Sequence, residues 1–181
     1  MKQLRVWIGL LMVGLAALSP KTSADMAVLE PIQVAVCPSD STGMNGIAAL
    51  FDISALDSLG SLDVEDAVLL WEFTGLATSN LYEFTLFEAP NAWTTESIQT
   101  GQTQLVLGTP VDSWLVGPQT NEDNQGVIAR LGLKRLADEW VKGTKVNNGM
   151  VITTSDVPVA TLASQASAMR LQIWYSRSDH Q

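Results

Sequence analysis

The sequence predicts an all-β protein: an antiparallel β-sandwich, jelly-roll-like, with one short helix near residues 133–142. Two observations support this fold class. Short apolar runs, many of them alternating with polar residues, recur along the chain between turn-forming residues, which is typical of sandwiches and barrels. Only residues 133–142 repeat apolar side chains at helical spacing, and a helix this short needs other elements to pack against.

The first 24 residues are predicted to be a secretory signal peptide. Lys2 and Arg5 form a basic start, residues 6–18 are an apolar run, and small residues lead to Ala24. The apolar run is too short to span a bilayer comfortably, although an uncleaved anchor is the alternative. We expect one domain over residues 25–181, secreted to the periplasm or the extracellular space, with no membrane span after cleavage.

Ten segments after a short leader at 25–31 have the length and composition of strands. The longest, 64–74, places Ala67 and Leu69 on one face and Val68 and Leu70 on the other. Apolar side chains on both faces indicate a central strand, or an outer face that a loop or a partner covers. The predicted strands are 32–36, 47–51, 64–74, 82–86, 104–107, 111–116, 127–131, 150–154, 157–162 and 169–175.

The predicted helix has one apolar stripe, whose largest member is Trp140, and it ends before Gly143. Glycine is favoured just after a helix because it adopts the left-handed conformation that terminates many helices. The turn Asn147-Asn148-Gly149 then leads to the strand at 150–154. We therefore expect the helix to close one end of the sandwich, with the indole of Trp140 as its anchor.

Charge and cysteine content limit the function. Removal of residues 1–24 would leave seven basic and 19 acidic residues, a net charge of −12. This charge argues against nucleic acid and anionic membranes as partners, because both require a basic surface. The single cysteine, Cys37, cannot form a disulfide within the chain, so it is a buried thiol or bridges two chains.

The sequence gives little support for catalysis. The only histidine, His180, lies next to the last residue, which excludes Ser-His-Asp and Cys-His arrangements at any ordered site. A carboxylate pair for glycoside hydrolysis stays open, with Glu83, Glu88 and Glu96 as the nearest candidates. We therefore expect a protein without enzymatic activity, with a weak glycan hydrolase as the remaining enzyme class.

An ordered set of motifs resembles the DNRLRE-domain family. The motif residues are Leu50-Phe51-Asp52-Ile53-Ser54, the strand 66–71, Trp93 with Glu96, the segment from Leu131 through Trp140 and Gly149 to Ile152, and the terminal strand 169–175. The chain departs from the family pattern at Gly132 and Lys134, where the family has Asp and Thr. The resemblance implies a secreted module with a jelly roll similar to carbohydrate-binding modules.

Three tryptophans are candidates for a sugar-binding surface, because flat indoles stack on pyranose rings when they are exposed. Trp114 and Trp174 are the principal candidates and Trp93 is the third, whereas Trp71 and Trp140 lie on apolar stripes and are expected in the core. No cofactor is expected, but a structural Ca²⁺ stays open. Asp52, Glu122 and Asp123 are its candidate ligands, since oxygen-rich loops bind Ca²⁺.

The leading functional hypothesis is binding of a polysaccharide or cell-surface glycan, at the cell surface or in extracellular matrix. The alternative is a structural or adhesive module that self-associates or packs on other surface proteins through Val68, Leu70 and the edge strands. An exposed row of aromatic residues in a groove would favour the glycan, and a flat apolar patch would favour protein packing.

Overall fold

The computed structural model describes residues 24–37, 44–74, 76, 80–102, 106–116 and 127–177. These residues form two antiparallel sheets, so the predicted all-β sandwich is confirmed. Sheet A has the strand order β1-β9-β4-β7 and sheet B the order β2-β3-β8-β5-β6. The strands are β1 (Asp25–Leu29), β2 (Pro31–Cys37), β3 (Asn45–Phe51), β4 (Leu62–Phe73), β5 (Tyr82–Glu88), β6 (Pro110–Val116), β7 (Val127–Gly132), β8 (Met150–Thr154) and β9 (Met169–Arg177).

The described residues contain more helix than the sequence predicts. The helices are α1 (Ser54–Asp57), α2 (Thr95–Gln99), α3 (Lys134–Val141), α4 (Val159–Ser164) and a 3-10 helix at Ala166–Ala168. Helix α3 is the predicted one. The expected strand at 157–162 is wrong, because Pro158 immediately precedes the short helix α4, which buries Leu162.

Two further expectations differ from the structure. The leader at 25–31 is wrong: Asp25–Leu29 is β1, which pairs with β9, and Pro31 begins β2. A run of only five residues carries a weak strand signal, and its partner strand lies almost at the other end of the chain. At the expected strand 104–107, residues 103–105 lie outside the described part, and Val106 and Leu107 are not in a strand.

The core lies between the sheets and centres on three aromatic side chains. Trp71 and Phe73 of β4 are fully buried, with ring centroids 4.4 Å apart, and Phe73 stacks on Phe84 of β5 at 5.2 Å. The indole nitrogen of Trp71 donates a hydrogen bond of 2.9 Å to the carbonyl oxygen of Gln165. This bond satisfies a polar group that would otherwise be costly to bury.

Helix α3 continues along β4 from the point where β7 ends. The last residue of β7, Gly132, pairs with Val68, and the next amide, that of Leu133, donates to the carbonyl of Ala67 at 2.9 Å. The helix then turns its apolar stripe into the core, and Trp140 is only 4% exposed. The expected docking of this helix through Trp140 is therefore confirmed.

The outer face of sheet B is covered by the connection after β5. Trp93 packs on Ala35, Ala48 and Val151, which lie side by side on β2, β3 and β8. The small alanine side chains leave room for the indole, whose N–H donates to the carbonyl of Asn148 at 2.8 Å. Helix α2 follows with a Thr94–Ser97 capping box, so the part of this face formed by β2, β3 and β8 is covered.

None of the helices within the described ranges has the length and apolar character needed to cross a membrane.

Candidate functional site

The three predicted aromatic residues do not form one platform. Trp93 is 6% exposed beneath the connection that covers sheet B, so it offers no stacking face. Trp114 lies on the edge strand β6 opposite Phe84 and is 36% exposed. Trp174 lies on β9, half-buried, with its side chain on the outer face of sheet A. Trp114 and Trp174 thus belong to different sheets and do not make a continuous row.

Trp114 lies near the seam where the edge strand β6 of sheet B meets the edge strand β7 of sheet A. Two residues earlier on the same strand, the Asp112 carboxylate accepts a hydrogen bond of 2.6 Å from the amide of Gly132 at the end of β7. This bond links the edge of sheet B to the edge of sheet A. Because residues two apart on a strand share a face, Trp114 points toward the same seam and lies at its solvent side.

The outer face of sheet A carries a group of solvent-accessible apolar side chains. In the strand register, Met26 and Trp174 lie in one row, Val28, Gln172 and Val68 in the next, and Leu70 in the third. Met26 is 51% exposed, Val28 48% and Ile128 40%. We call this surface the bare face. It consists of Met26, Val28, Val68, Leu70, Ile128, Gln172 and Trp174.

Charged side chains border the bare face with opposite signs at its two ends. Asp66 lies in the row of Trp174, whereas Arg170 and Arg130 flank Leu70 four residues further along β4. Arg170 forms an ion pair of 3.2 Å with Glu30. Within the described ranges Asp66 and Arg130 have no ion-pair partner. Each end of the face therefore retains one exposed charge without a counterion from these residues.

The two outer faces of the sandwich contrast sharply. A tryptophan and a capped helix cover the apolar row of sheet B, but the described chain places no comparable element over sheet A. Soluble proteins rarely leave a contiguous apolar surface of several residues exposed unless it takes part in an interaction. The bare face is therefore the candidate functional site.

Part of this site is predictable from the sequence. Val68, Leu70 and Trp174 were identified by the alternation along β4 and β9, and the structure brings all three together. Met26 and Val28 lie in 25–31, which the sequence predicts as a leader, although their alternation with Ala27 is a strand signal. Ile128 was inside a predicted strand, but only the pairing of β7 with β4 places it on this face.

The predicted calcium ligands are not brought together in the described structure. Glu122 and Asp123 lie outside the described residues. Asp52 is exposed, and its carboxylate accepts a hydrogen bond of 2.9 Å from the amide of Ser54 at the start of α1, which holds the pKa of Asp52 below its ordinary value. Across the described ranges no group of three or more His, Cys, Asp or Glu side chains is arranged to hold a metal ion.

The candidate carboxylates for hydrolysis lie apart from the bare face. Glu88 forms an ion pair with Lys145 beside a cavity of about 280 Å³, and the hydrogen bond from Lys145 holds the pKa of Glu88 below its ordinary value. Lys145 also lies 3.4 Å from Glu139 of α3, so the pair ties β5 to the segment after the helix. Glu83 and Glu96 are exposed on β5 and α2.

Cys37 and His180 give no support for a nucleophile. Cys37 is half-buried at the end of β2, and burial raises the pKa of its thiol to about 11, so the unreactive thiol form dominates at neutral pH. His180 lies outside the described residues.

Comparison with known proteins adds no functional assignment. No protein-family model matches the sequence, and no curated protein matches it. Among solved structures, the chain is similar at a TM-score of 0.29 and 12% identity to a recombinantly expressed latent aurone synthase, a polyphenol oxidase. The similarity covers 85% of this chain but only 24% of that one.

Proposed function

We propose that this chain is a secreted, non-catalytic module that acts by packing its bare face against another protein surface, as a structural or adhesive component outside the cell. The observation that supports the proposal most is the contrast between the covered apolar row on β2, β3 and β8 of sheet B and the exposed apolar side chains on the outer face of sheet A. The predicted signal peptide supports the location.

The chemistry of the bare face favours a protein over a glycan. Five of its seven members are Met, Val, Leu or Ile, whose side chains cannot hydrogen-bond to sugar hydroxyls. Burial of aliphatic surface contributes about 25 cal/mol per Å² when a complementary apolar surface covers it. A protein surface supplies such groups, whereas a glycan would leave most of its hydroxyls without partners here.

Retention on the extracellular matrix and envelope fraction of the producing cells tests this function. We expect wild-type protein to be retained on untreated and periodate-oxidised fractions, and retention to fall after protease treatment. Val28→Glu places a charge inside the contact and should weaken retention at least about tenfold. Ile32→Glu is the matched control, because Ile32 is 59% exposed on β2, outside the bare face. Retention that survives Val28→Glu, or that periodate abolishes, would contradict the proposal.

Carbohydrate binding is the second candidate, because one indole lies on the same face. Trp174 is bordered by Asp66 on β4 and lies two residues from Gln172, so a pyranose stacked on the indole would find a carboxylate and an amide nearby. In a polysaccharide-binding screen, Trp174→Ala should abolish binding while Trp114→Ala leaves it unchanged. Equal binding by both variants and wild type would remove Trp174 as a stacking platform.

A further inference from the structure

The exposed charges at the two ends of the bare face are too far apart to pair within one chain. Asp66 and Leu70 are four residues apart on β4, a rise of about 13 Å, and Arg130 lies one strand further away opposite Leu70. An ion pair requires the charged atoms to be within about 4 Å. Among the residues that the structure describes, neither Asp66 at the acidic end nor Arg130 at the basic end has a counterion, so both are available to a partner.

We propose that the bare face docks a second copy of this chain through a two-fold axis that runs across the strands, along the row of Val28, Gln172 and Val68. This inference rests on the proposed function and names the partner of the same surface. The axis reverses the strand direction between the copies, so the acidic end of each copy lies over the basic end of the other. A surface that is self-complementary in this way is what a two-fold interface requires.

The charges then match in pairs. The row of Asp66 on one copy faces the row of Leu70 on the other, where Arg130 and Arg170 border Leu70 on the adjacent strands. The Asp66 carboxylate thus meets Arg130 of the second copy, and symmetry forms the same pair a second time. Trp174 lies in the row of Asp66 and faces the guanidinium of the second copy's Arg170, which suits a cation–π contact.

The row of Val28, Gln172 and Val68 lies on the proposed axis and therefore faces the same row of the second copy. Val28 and Val68 pack against the same residues of the second copy, and Gln172 lies between them on β9. A glutamine amide both donates and accepts, so two copies of Gln172 can satisfy one another across the axis. Further out, at the rim of the contact, Glu72 approaches the row of Asp63 and Ser176.

The area of the bare face limits how tightly two copies can associate. Four strands at a spacing of about 4.8 Å and rows that extend over roughly 20 Å give about 400 Å² per copy. A standard stable interface buries about 800 Å² per partner. The dimer should therefore depend on concentration in the micromolar to millimolar range, as suits a component concentrated in an extracellular layer.

Sedimentation equilibrium of the purified protein from about 10 µM to 1 mM tests the inference. We expect a monomer–dimer equilibrium in wild type. Asp66→Arg and Arg130→Asp should each weaken dimerisation about tenfold, because each substitution converts two attractive pairs into two repulsive ones. The combined variant D66R/R130D exchanges the charges and should restore the wild-type dissociation constant to within about threefold.

Matched substitutions elsewhere separate this effect from a change in net charge. Glu83→Arg and Lys134→Asp make the same charge changes at exposed positions outside the bare face and should leave dimerisation unchanged. A monomer at 1 mM, a combined variant as weak as the single ones, or equal weakening by the controls would overturn the inference. Matrix retention that Val28→Glu abolishes would, in a protein monomeric at 1 mM, keep the proposed function and refute only the second copy as partner.

Discussion

Gly149 lies where the turn after α3 enters β8, and it is the most sterically constrained position in this segment. Its φ is +81°, and its amide donates to the side-chain oxygen of Asn147 at 3.0 Å. A Cβ added there would overlap the carbonyl oxygen of Ala49 and press on the Cα of Leu50 on the neighbouring strand. These are backbone atoms, so the clash cannot be relieved by a change of rotamer.

The cost of Gly149→Ala can be worked from two terms. Holding an alanine in the left-handed region costs about 1–2 kcal/mol. Displacing the β3 backbone adds about 1–3 kcal/mol, as for other overpacked positions. Gly143 provides a matched control, because its φ is +65° but no atom lies within 4 Å of an added Cβ. Gly143→Ala should therefore show only the first term.

Urea denaturation followed by tryptophan fluorescence measures both variants under the same conditions. We expect the free energy of unfolding to fall by about 2–5 kcal/mol for Gly149→Ala and by about 1–2 kcal/mol for Gly143→Ala. The difference between the variants isolates the steric term, since the conformational term is shared. Values that agree within about 0.5 kcal/mol would refute the argument that contact with β3 constrains this turn.

Three further predictions concern the core, the seam and the ion pair. Trp140→Ala removes the helix anchor and should cost about 3–5 kcal/mol, lowering Tm by roughly 6–20 °C in calorimetry; a shift under about 3 °C would contradict its role. Asp112→Ala leaves the amide of Gly132 without its acceptor and should speed hydrogen exchange of that amide, so unchanged exchange would speak against the seam bond. The folded-state pKa of Glu88 is depressed, so its contribution to stability is present above the ordinary pKa of about 4.3 and is lost as pH falls through the folded value. In Lys145→Met, urea titrations between about pH 2 and 5 should show a smaller loss of the free energy of unfolding with falling pH than in wild type. The same pH profile in both proteins would contradict a stabilising role for this ion pair.

Strand and helix patterns on a single segment were predictable because they depend on residues close in sequence. The alternation along β4 identified both its buried face and its apolar outer face. The apolar stripe that includes Trp140 identified α3. By contrast, Thr94 and Ser97 form a capping box that signals the start of α2, and this local signal was overlooked.

What the sequence by itself determined is which side chains alternate, which stripe is apolar and where the chain turns, because these properties repeat every two or 3.6 residues. Only the tertiary structure decided which apolar face stays open. The sequence makes both Trp93 and Trp174 candidates for an exposed surface, yet Trp93 is buried on Ala35 and Ala48, more than 40 residues earlier, while Trp174 lies beside Met26, near the other end of the chain. The exposure of an indole depends on such long-range pairings, and no local period encodes them.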